Sequence, residues 1–377
     1  MPPLTDEFAQ LWKTSLAGSA WHLPEDFQNR LVIFGAGGLG RKIARILNRM
    51  GHTPLAFCDN NPQLWNTEMN GVKVLSVNDA IASFPSAVFM IAIWHPSRTE
   101  GLKARAAALR RLGCQEVTCF IPLFWKYPEL FLPNMFWEVP QRLVGQESAA
   151  QAGRDLFDKA GQSEFDRQLR FHLTGDASVL FDPAPGYQYF PGDLIELSDD
   201  EVFVDCGAYD GDSVRDFCAV SGGRFRRILA FEPDPENFRR LQSSVNDTRI
   251  VTRCSAVGAE RATLHMSSSG ASSSVSDYGD VEIECTTLDE LLADEEPTFI
   301  KMDIEGAEID ALRGAAETLR RCRPTLAICV YHAPDHLWRV PLLLNELLPG
   351  SRLSLRSHML DGFDTVCYCI PGRSRGN

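Results

Sequence analysis

The chain has 377 residues, of which 44% are hydrophobic and 23% are charged, proportions typical of a globular protein long enough for two domains with their own cores. Its 37 basic and 50 acidic residues give a formal net charge of −13, which disfavours a broad nucleic-acid-binding surface, because such a surface needs a basic face. The longest apolar run, Ala87 to Trp94, is far shorter than the roughly 20 residues that span a bilayer. We therefore expect neither a nucleic-acid partner nor membrane insertion.

The eleven cysteines are scattered singly, and no Cys-x-x-Cys pair is present. Because most of them lie inside apolar runs, we expect buried, reduced thiols rather than a structural metal site. The first residues lack the basic start and apolar core of a signal peptide. These features predict a cytoplasmic protein that binds no metal.

The first unit, predicted over residues 1–125, opens with an apolar strand, a glycine-rich turn, a helix and a second strand that ends in an acid. This order satisfies the dinucleotide-binding fingerprint, with a candidate nucleotide site formed by Gly35, Gly37, Gly40 and Asp59. Later strands alternate with helices, which predicts a parallel sheet.

Residues 126–199 break this alternation and are predicted to be a connector between two domains. The segment begins with a passage rich in proline and aromatic residues and continues as a polar helical stretch, Glu147–Leu173. Its aromatic side chains are a candidate homodimer contact. A second aromatic cluster, Tyr187–Phe190, is interpreted either as interface packing or as the wall of a substrate pocket.

The second unit, predicted over residues 200–371, contains seven core strands: Val202–Asp205, Ile228–Glu232, Ile250–Val257, Thr298–Asp303, Thr325–His332, Arg352–Arg356 and Thr365–Ile370. The last two are joined by a loop too short for a helical crossover, so they are expected to pair antiparallel. A hairpin is predicted around the Ser-rich loop Ser267–Ser276, and residues 372–377 are predicted to be a disordered tail. The predicted fold class is α/β, with two Rossmann-like parallel-sheet domains. The second resembles the seven-stranded class I methyltransferase fold, with an antiparallel last strand.

The second glycine-rich turn, Asp205-Cys-Gly-Ala-Tyr-Asp-Gly211, follows the first of these core strands. Its leading acid and Gly-x-x-x-Gly spacing differ from the dinucleotide pattern. An acid there would repel a pyrophosphate, but it can serve an ammonium group. Candidate cofactor-binding residues are therefore Asp205, Gly207, Gly211 and Asp212. The alternative is an ordinary turn between a strand and a helix.

Glu232 ends the second core strand. A carboxylate in that position can accept hydrogen bonds from two vicinal ribose hydroxyls, although it can also cap the next helix. Ala256 and Val257, at the end of the third core strand, are candidate contacts for an adenine. These positions predict a nucleoside-binding half-sheet.

The fourth core strand carries Lys301 and leads to Asp303 and Glu305. Charged groups are costly to bury unpaired, so we expect Lys301 to pair with Asp303 and both acids to reach the ligand-binding edge. Helix capping is the alternative role for the acids. His332, at the end of the fifth strand, is a candidate general base for a hydroxyl, with structural and metal-binding roles left open. The candidate catalytic residues are thus Asp303, Glu305 and His332.

Several motifs follow one another in a fixed order over roughly residues 180–371: Asp-x-Gly-Ala-x-x-Gly, Phe-Glu-Pro, Lys-x-Asp-x-Glu-Gly-Ala-Glu, Leu312-Arg-Gly-Ala315 and Arg323-Pro324. This set resembles the FkbM-type S-adenosylmethionine-dependent methyltransferases. The resemblance implies S-adenosylmethionine as cofactor and a hydroxyl of a saccharide or small molecule as methyl acceptor. It implies that Asp205, Gly207 and Gly211 bind the cofactor, that Glu232 binds its ribose and that Asp303 faces the reacting centre.

The first unit resembles a different family. Its motifs are Phe-Gly-Ala-Gly-Gly-x-Gly, Asp-Asn-Asn-Pro, Asn70-Gly-Val-Lys-Val-Leu75 and Ala-Ile-Trp-His-Pro-Ser-Arg98. They are similar to the N-terminal Rossmann-type domain of bacterial sugar acyltransferases, which implies a nucleotide-linked sugar as ligand. NAD(P) binding and a purely structural or oligomerisation role stay open.

Two functions therefore compete. The first is an S-adenosylmethionine-dependent O-methyltransferase with an accessory Rossmann domain. The alternative is an NAD(P)-dependent oxidoreductase acting on a sugar or nucleotide-sugar, and a binding protein with an inactive methyltransferase fold is a third reading. Asp205 and Glu232 favour the first, because an oxidoreductase gives no reason for two acids to frame the second sheet.

Overall fold

The computed structural model describes residues 5–16, 18–267, 274–275 and 281–372. Most of the predicted Ser-rich loop and nearly all of the predicted tail lie outside these ranges. Among the helices within them, none combines the length and the apolar character needed to cross a membrane.

The helices in the described ranges are short or of medium length. They are α1 (Asp6–Ser15), α2 (Gly38–Arg49), α3 (Val77–Ser83), α4 (Leu102–Arg111), α5 (Ile121–Lys126), α6 (Pro128–Phe131), α7 (Glu147–Arg154), α8 (Lys159–Thr174), α9 (Asp212–Val220), α10 (Pro235–Ser244), α11 (Leu288–Leu291), α12 (Glu308–Arg313), α13 (Ala316–Cys322) and α14 (His336–Leu347).

The first sheet has six strands, β1 (Leu31–Phe34), β2 (Ala56–Cys58), β3 (Glu68–Met69), β4 (Val72–Leu75), β5 (Val88–Ile91) and β6 (Glu116–Cys119). They lie in the order β3-β4-β2-β1-β5-β6, and every pairing is parallel except that of β3 with β4. All residues of β1 and β5 are buried. This is expected for apolar strands at the centre of a parallel sheet covered on both faces. The predicted parallel sheet is confirmed.

The second half of the chain contributes the remaining strands, β7 (Val202–Cys206), β8 (Arg227–Phe231), β9 (Ile250–Arg253), β10 (Ala256–Val257), β11 (Ala262–Ser267), β12 (Ser274–Val275), β13 (Val281–Thr286), β14 (Phe299–Met302), β15 (Thr325–Cys329), β16 (Arg352–Ser357) and β17 (Thr365–Ile370). Seven of them form the main sheet, in the order β16-β17-β15-β14-β7-β8-β9. Only β17 runs against its neighbours. The predicted seven-stranded fold with an antiparallel last strand is confirmed.

Two predicted strands were too long: Thr325–His332 ends at Cys329 in β15, and Ile250–Val257 ends at Arg253 in β9. The chain leaves the main sheet after Arg253, and Ala256–Val257 pairs instead with β13 in a separate four-stranded sheet. The reason is a break in pairing at Cys254–Ser255, which hydrophobicity does not reveal, because apolar pairs, Ile250–Val251 and Ala256–Val257, lie on both sides of it. The predicted hairpin is present as β11 paired antiparallel with β13.

The connector packs on the main sheet. The backbone N–H of Asp158 donates to the carbonyl of Leu353 in β16 (3.1 Å), and α8 lies along that strand. Helix α1 packs against α8 of the connector and against α14, where the ring centroids of Trp12 and Trp338 are 6.3 Å apart. The domain boundaries at 125 and 199 stay predictions.

The two large sheets meet at their carboxyl edges. Trp94 follows β5 at the edge of the first sheet, and its ring lies 4.5 Å (centroid to centroid) from that of Phe363. Phe363 belongs to the β16–β17 loop (residues 358–364), at the same edge of the second sheet. Open α/β sheets bind ligands at their carboxyl edges. The packing therefore brings two potential binding edges together.

Candidate functional site

The turn after β7 requires its two glycines. Gly207 has φ +80, and a Cβ there would lie 1.9 Å from the carbonyl oxygen of Asp303. Gly211 has φ +87, and a Cβ there would lie 2.6 Å from Ser244 Oγ. Both positions have left-handed backbone geometry that favours glycine, and neither has space for a side chain. The turn can thus lie close against the end of β14, at the point where the strand order reverses.

Asp205 lies beneath this turn and is fully buried. Its carboxylate accepts a hydrogen bond from Ser213 Oγ (2.5 Å) and pairs with Lys301 Nζ (3.0 Å). Lys301 also donates to the carbonyl of Gly207 (2.6 Å). The prediction that Lys301 pairs with Asp303 is wrong. Parallel pairing of β14 with β7 places Lys301 directly opposite Asp205, so the ion pair forms there instead. Burial alone would lower the pKa of Lys301. The neighbouring acids, Asp205 most strongly, outweigh this effect and hold the pKa of Lys301 above its ordinary value.

Glu232 lies just beyond β8 and is buried. Its two carboxylate oxygens accept backbone N–H groups from Tyr209 in the turn (2.8 Å) and from Asp234 (2.9 Å). Burial raises the pKa of Glu232, and these two N–H donors partly offset that rise. The acid therefore fixes the tip of the turn to the end of β8.

The other cofactor candidates lie around this point. Asp212 is exposed at the first turn of α9, and its carboxylate accepts the N–H of Ser213 (2.7 Å). Ala256 is partly exposed and Val257 is buried, both in the small sheet with β13 rather than at the end of β9. The structure brings Gly207, Gly211 and Glu232 together and places Val257 inside the small sheet.

Asp303 lies immediately after β14 and is partly exposed. One carboxylate oxygen accepts the Tyr189 hydroxyl (2.7 Å), and the other accepts the Tyr331 hydroxyl (3.3 Å). The same second oxygen lies 3.3 Å from His332 Nε2. Asp303 is thus oriented from three directions while part of it stays open to the edge of the sheet.

His332 lies between carboxylates. Its Nδ1 is 2.8 Å from the buried Glu308, and its Nε2 faces Asp303 and, at 3.8 Å, the exposed Glu305. Burial alone would lower its pKa, but Glu308 first, and then Asp303 and Glu305, raise the pKa of His332 to about 9. His336 also pairs with Glu308 (3.2 Å). The imidazole is therefore a cation at neutral pH.

Sequence reasoning missed two contributors to this cluster, Tyr331 and Asp364, and it left the role of Tyr189 open. The Tyr189 hydroxyl contacts Asp303, which favours the pocket-wall reading of that aromatic cluster over simple interface packing. No sequence signal marked Asp364, because it reaches the cluster only through the antiparallel pairing of β17 with β15.

The first glycine-rich turn has a similar construction. A Cβ at Gly35 (φ +110) would lie 2.4 Å from Ile93 Cγ1, and one at Gly40 would lie 1.9 Å from the Gly35 carbonyl oxygen. A Cβ at Gly37 would meet nothing within 4 Å. Asp59 accepts the N–H of Ala36 (2.8 Å). Gly35 and Gly40 are thus required by packing, whereas Gly37 leaves open space before α2.

Within the described ranges, no three His, Cys, Asp or Glu side chains are placed to hold a metal ion.

Residues 205–356 match the methyltransferase FkbM domain. The resemblance predicted for the C-terminal half is confirmed. Residues 30–97 match the PglD N-terminal domain, which supports the acyltransferase-like resemblance of the first unit. Residues 205–356 thus match a methyltransferase domain family, and residues 30–97 match a different one.

One solved methyltransferase structure shares the fold of nearly the whole chain. The crystal structure of methyltransferase FkbM from Methylobacillus flagellatus KT is similar over 97% of this chain and 98% of its own, with a TM-score of 0.76 and 23% sequence identity. UDP-D-quinovosamine 4-dehydrogenase from Vibrio fischeri is 24% identical over 24% of this chain and 75% of its own, with a TM-score of 0.21. A SAM-dependent methyltransferase from Aquifex aeolicus is 14% identical over 58% of this chain and 97% of its own, with a TM-score of 0.28. No curated protein matches the chain.

Proposed function

We propose that the chain is an S-adenosylmethionine-dependent methyltransferase that methylates a hydroxyl oxygen of a sugar or glycosylated metabolite. One observation carries the proposal. Glu232 and the Asp303–His332 pair lie on opposite sides of the Gly207–Gly211 turn, at the carboxyl edge where the strand order reverses. A nucleoside-binding acid and an acceptor-activating acid thus flank one turn.

The residues at the turn fit the cofactor. A carboxylate offers about four acceptor sites, and the structure shows Glu232 using two of them on backbone N–H groups. The others would hold the ribose hydroxyls, and the Gly207–Gly211 turn and Asp212 would hold the amino-acid end. Asp205, buried against Lys301 and Ser213, would support the turn from below. When bound, S-adenosylmethionine supplies a methyl group on a sulfonium centre that is already electrophilic.

The chain itself must orient the acceptor hydroxyl and remove its proton. We propose Asp303 as the proton acceptor, since it is partly open and anchored by Tyr189 and Tyr331. His332 is then a cationic support rather than the base, because a protonated imidazole has no free lone pair. Glu305, more exposed at the same edge, would contact the acceptor.

We expect the Glu232→Gln variant to bind S-adenosylhomocysteine about 10- to 100-fold more weakly than wild type, the size of a lost hydrogen bond to a charged group. The amide nitrogen would face the N–H of Tyr209 or Asp234, so the turn would also lose an anchor. Isothermal calorimetry measures the change. Glu236→Gln is the matched control, since Glu236 is exposed on the next helix, where it pairs with Arg240.

The same titration separates the competing functions. A wild-type protein that binds NAD(H) tightly and gives no heat with S-adenosylhomocysteine would support the oxidoreductase instead. Cofactor binding without methyl transfer to any acceptor would support an inactive binding fold.

The first unit is proposed to hold a nucleotide-linked part of the acceptor. The N-terminus of α2 adjoins the open space at Gly37, where backbone N–H groups favour an anion. The contact of Trp94 with Phe363 joins this edge to the methyl-transfer edge. A ligand anchored by its phosphates on the first sheet would therefore direct its sugar toward the second.

We expect Gly37→Asp to abolish binding of nucleoside diphosphates without harming the fold. Aspartate is a favourable residue before a helix, but its charge repels phosphate. Calorimetry with UDP, GDP and dTDP measures the loss. Gly192→Asp is the control, because Gly192 is also exposed with nothing near its Cβ position. Binding of NAD⁺ but of none of the diphosphates to wild type would contradict this assignment.

A further inference from the structure

Asp364 is a buried acid that the mechanism above does not use. It ends the β16–β17 loop, is 8% exposed and has φ +51, a left-handed geometry that aspartate and asparagine tolerate. The next residue, Thr365, accepts the N–H of Val330 at the end of β15 (2.9 Å). This antiparallel pairing of β15 with β17 places Asp364 and Tyr331 next to each other, just beyond the ends of the two strands.

The loop that carries Asp364 is fixed at several points. The Asp361 carboxylate accepts the N–H of Leu102 at the start of α4 (2.9 Å), and the N–H of Leu360 donates to the carbonyl of Ser97 (2.8 Å). Phe363 packs between Trp94 and Tyr331, with centroid separations of 4.5 and 6.2 Å. Asp364 is therefore held in place from both sheets.

Tyr331 has one hydroxyl proton and two carboxylate neighbours, Asp303 and Asp364. When Asp364 is protonated, it can donate to the tyrosine oxygen while Tyr331 donates to Asp303. When Asp364 is ionised, it competes for the same proton. A carboxylate that loses a hydrogen-bond donor and gains a negative neighbour becomes a stronger base.

Asp364 changes its charge near neutral pH. Burial is the main cause that raises the pKa of Asp364 to about 7, and the negative charge of Asp303 raises it further. Tyr331 and His332 lower this pKa by smaller amounts. Asp212 adds a further negative charge nearby. The charge of this carboxylate also raises the pKa values of Tyr189 and Cys329, and both groups stay neutral because burial raises those pKa values further.

We propose that Asp364 is a positioning residue of the methyl-transfer site, which sets the basicity of Asp303 by drawing the Tyr331 proton away from it. This inference rests on the proposed function. Ionisation of Asp364 frees Asp303 to accept the acceptor proton, and protonation of Asp364 returns the Tyr331 hydrogen bond to Asp303. Turnover should therefore rise with pH through the neutral range.

The first test needs no acceptor. In protein labelled with ¹³Cζ-tyrosine, the NMR resonance of Tyr331, assigned by its loss in Tyr331→Phe, is expected to titrate near pH 7 in wild type. In Asp364→Asn it should be flat between pH 5 and 8.5. Asparagine is chosen because it keeps the shape and the left-handed backbone. A wild-type resonance that does not move over this range overturns the proposal.

The second test is the pH profile of turnover, followed as S-adenosylhomocysteine release with the best acceptor from a panel of free and nucleotide-linked sugars. In Asp364→Asn the amide can donate to Tyr331 permanently, so turnover at pH 8 should fall several-fold, to the wild-type level at pH 6, and the rise should vanish. Tyr331→Phe should also lose the rise, yet exceed Asp364→Asn at pH 6. A rise that persists unchanged in Asp364→Asn overturns the proposal.

The control is Asp335→Asn, a carboxylate near the same edge that pairs with Arg339 (2.9 Å). It should leave both the Tyr331 titration and the pH profile unchanged. Affinity for S-adenosylhomocysteine, measured on every variant, keeps the two hypotheses apart. Its absence in wild type rejects the proposed function, whereas normal affinity with an unaltered profile in Asp364→Asn rejects only the role of Asp364.

Discussion

The Asp303→Asn variant is expected to lose methyl-transfer turnover by about 10²–10⁴-fold, the usual contribution of a general base. Its affinity for S-adenosylhomocysteine should stay close to that of wild type, because Asp303 lies on the acceptor side of the Gly207–Gly211 turn. The asparagine keeps a hydrogen-bond acceptor for Tyr189 or Tyr331, so the fold should survive. Turnover and calorimetry together measure the split. Asp310→Asn, an exposed acid paired with Arg313, is the matched control.

The alkaline side of the wild-type pH profile distinguishes Asp303 from His332 as the base. The pKa of His332 is raised to about 9, so the imidazole is protonated at neutral pH and loses its proton as pH rises through that value. If Asp303 is the base, turnover falls above pH 9, because Asp303 loses its cationic support. If His332 is the base, turnover rises there instead. If turnover is unchanged in Asp303→Asn and the turnover of wild type rises above pH 9, His332 rather than Asp303 is the general base.

Much of the candidate site could be predicted because it lies beyond the carboxyl ends of four parallel strands that are neighbours in the sheet, β15, β14, β7 and β8. Glu232, Asp303 and His332 each follow an apolar run, and the carboxyl ends of parallel strands share one edge of a sheet. The structure accordingly gathers them around the Gly207–Gly211 turn. The positions and directions of the strands are therefore sufficient to predict that these three residues share one edge of the sheet.

The rest depended on pairing and register, which a single sequence does not specify. Alternation along β14 placed Lys301 and Asp303 on one side, but the opposite position in β7 decided that Lys301 pairs with Asp205. Predicting that Asp364 lies near Tyr331 would have required the strand order at the antiparallel end of the sheet. Likewise, hydrophobicity did not show that Ala256–Val257 leaves the main sheet for another one.

The buried ion pair beneath the turn leads to the second large effect. We expect Lys301→Met to lower the free energy of unfolding by about 3–5 kcal/mol, because it leaves the carboxylate of Asp205 buried without a counter-charge. The carbonyl of Gly207 loses its donor as well, so affinity for S-adenosylhomocysteine should fall. Denaturant unfolding at neutral pH measures the first effect, and calorimetry measures the second. Lys73→Met is the control, since Lys73 lies at an exposed position of β4.

The double variant Asp205→Asn/Lys301→Met identifies the cause. Replacing a buried ion pair by well-packed hydrophobic residues of similar volume is often neutral for stability, whereas removing one member alone is strongly destabilising. The Asp205→Asn/Lys301→Met pair removes both charges at similar volume, and its amide keeps an acceptor for the Ser213 hydroxyl. The double variant should therefore recover most of the stability lost in Lys301→Met while its cofactor affinity stays low, because the Gly207 carbonyl still lacks the lysine. If the double variant is as unstable as the single one, packing of the lysine stem rather than the unpaired charge determines stability. If both variants bind cofactor normally, Lys301 does not hold the turn in its binding conformation.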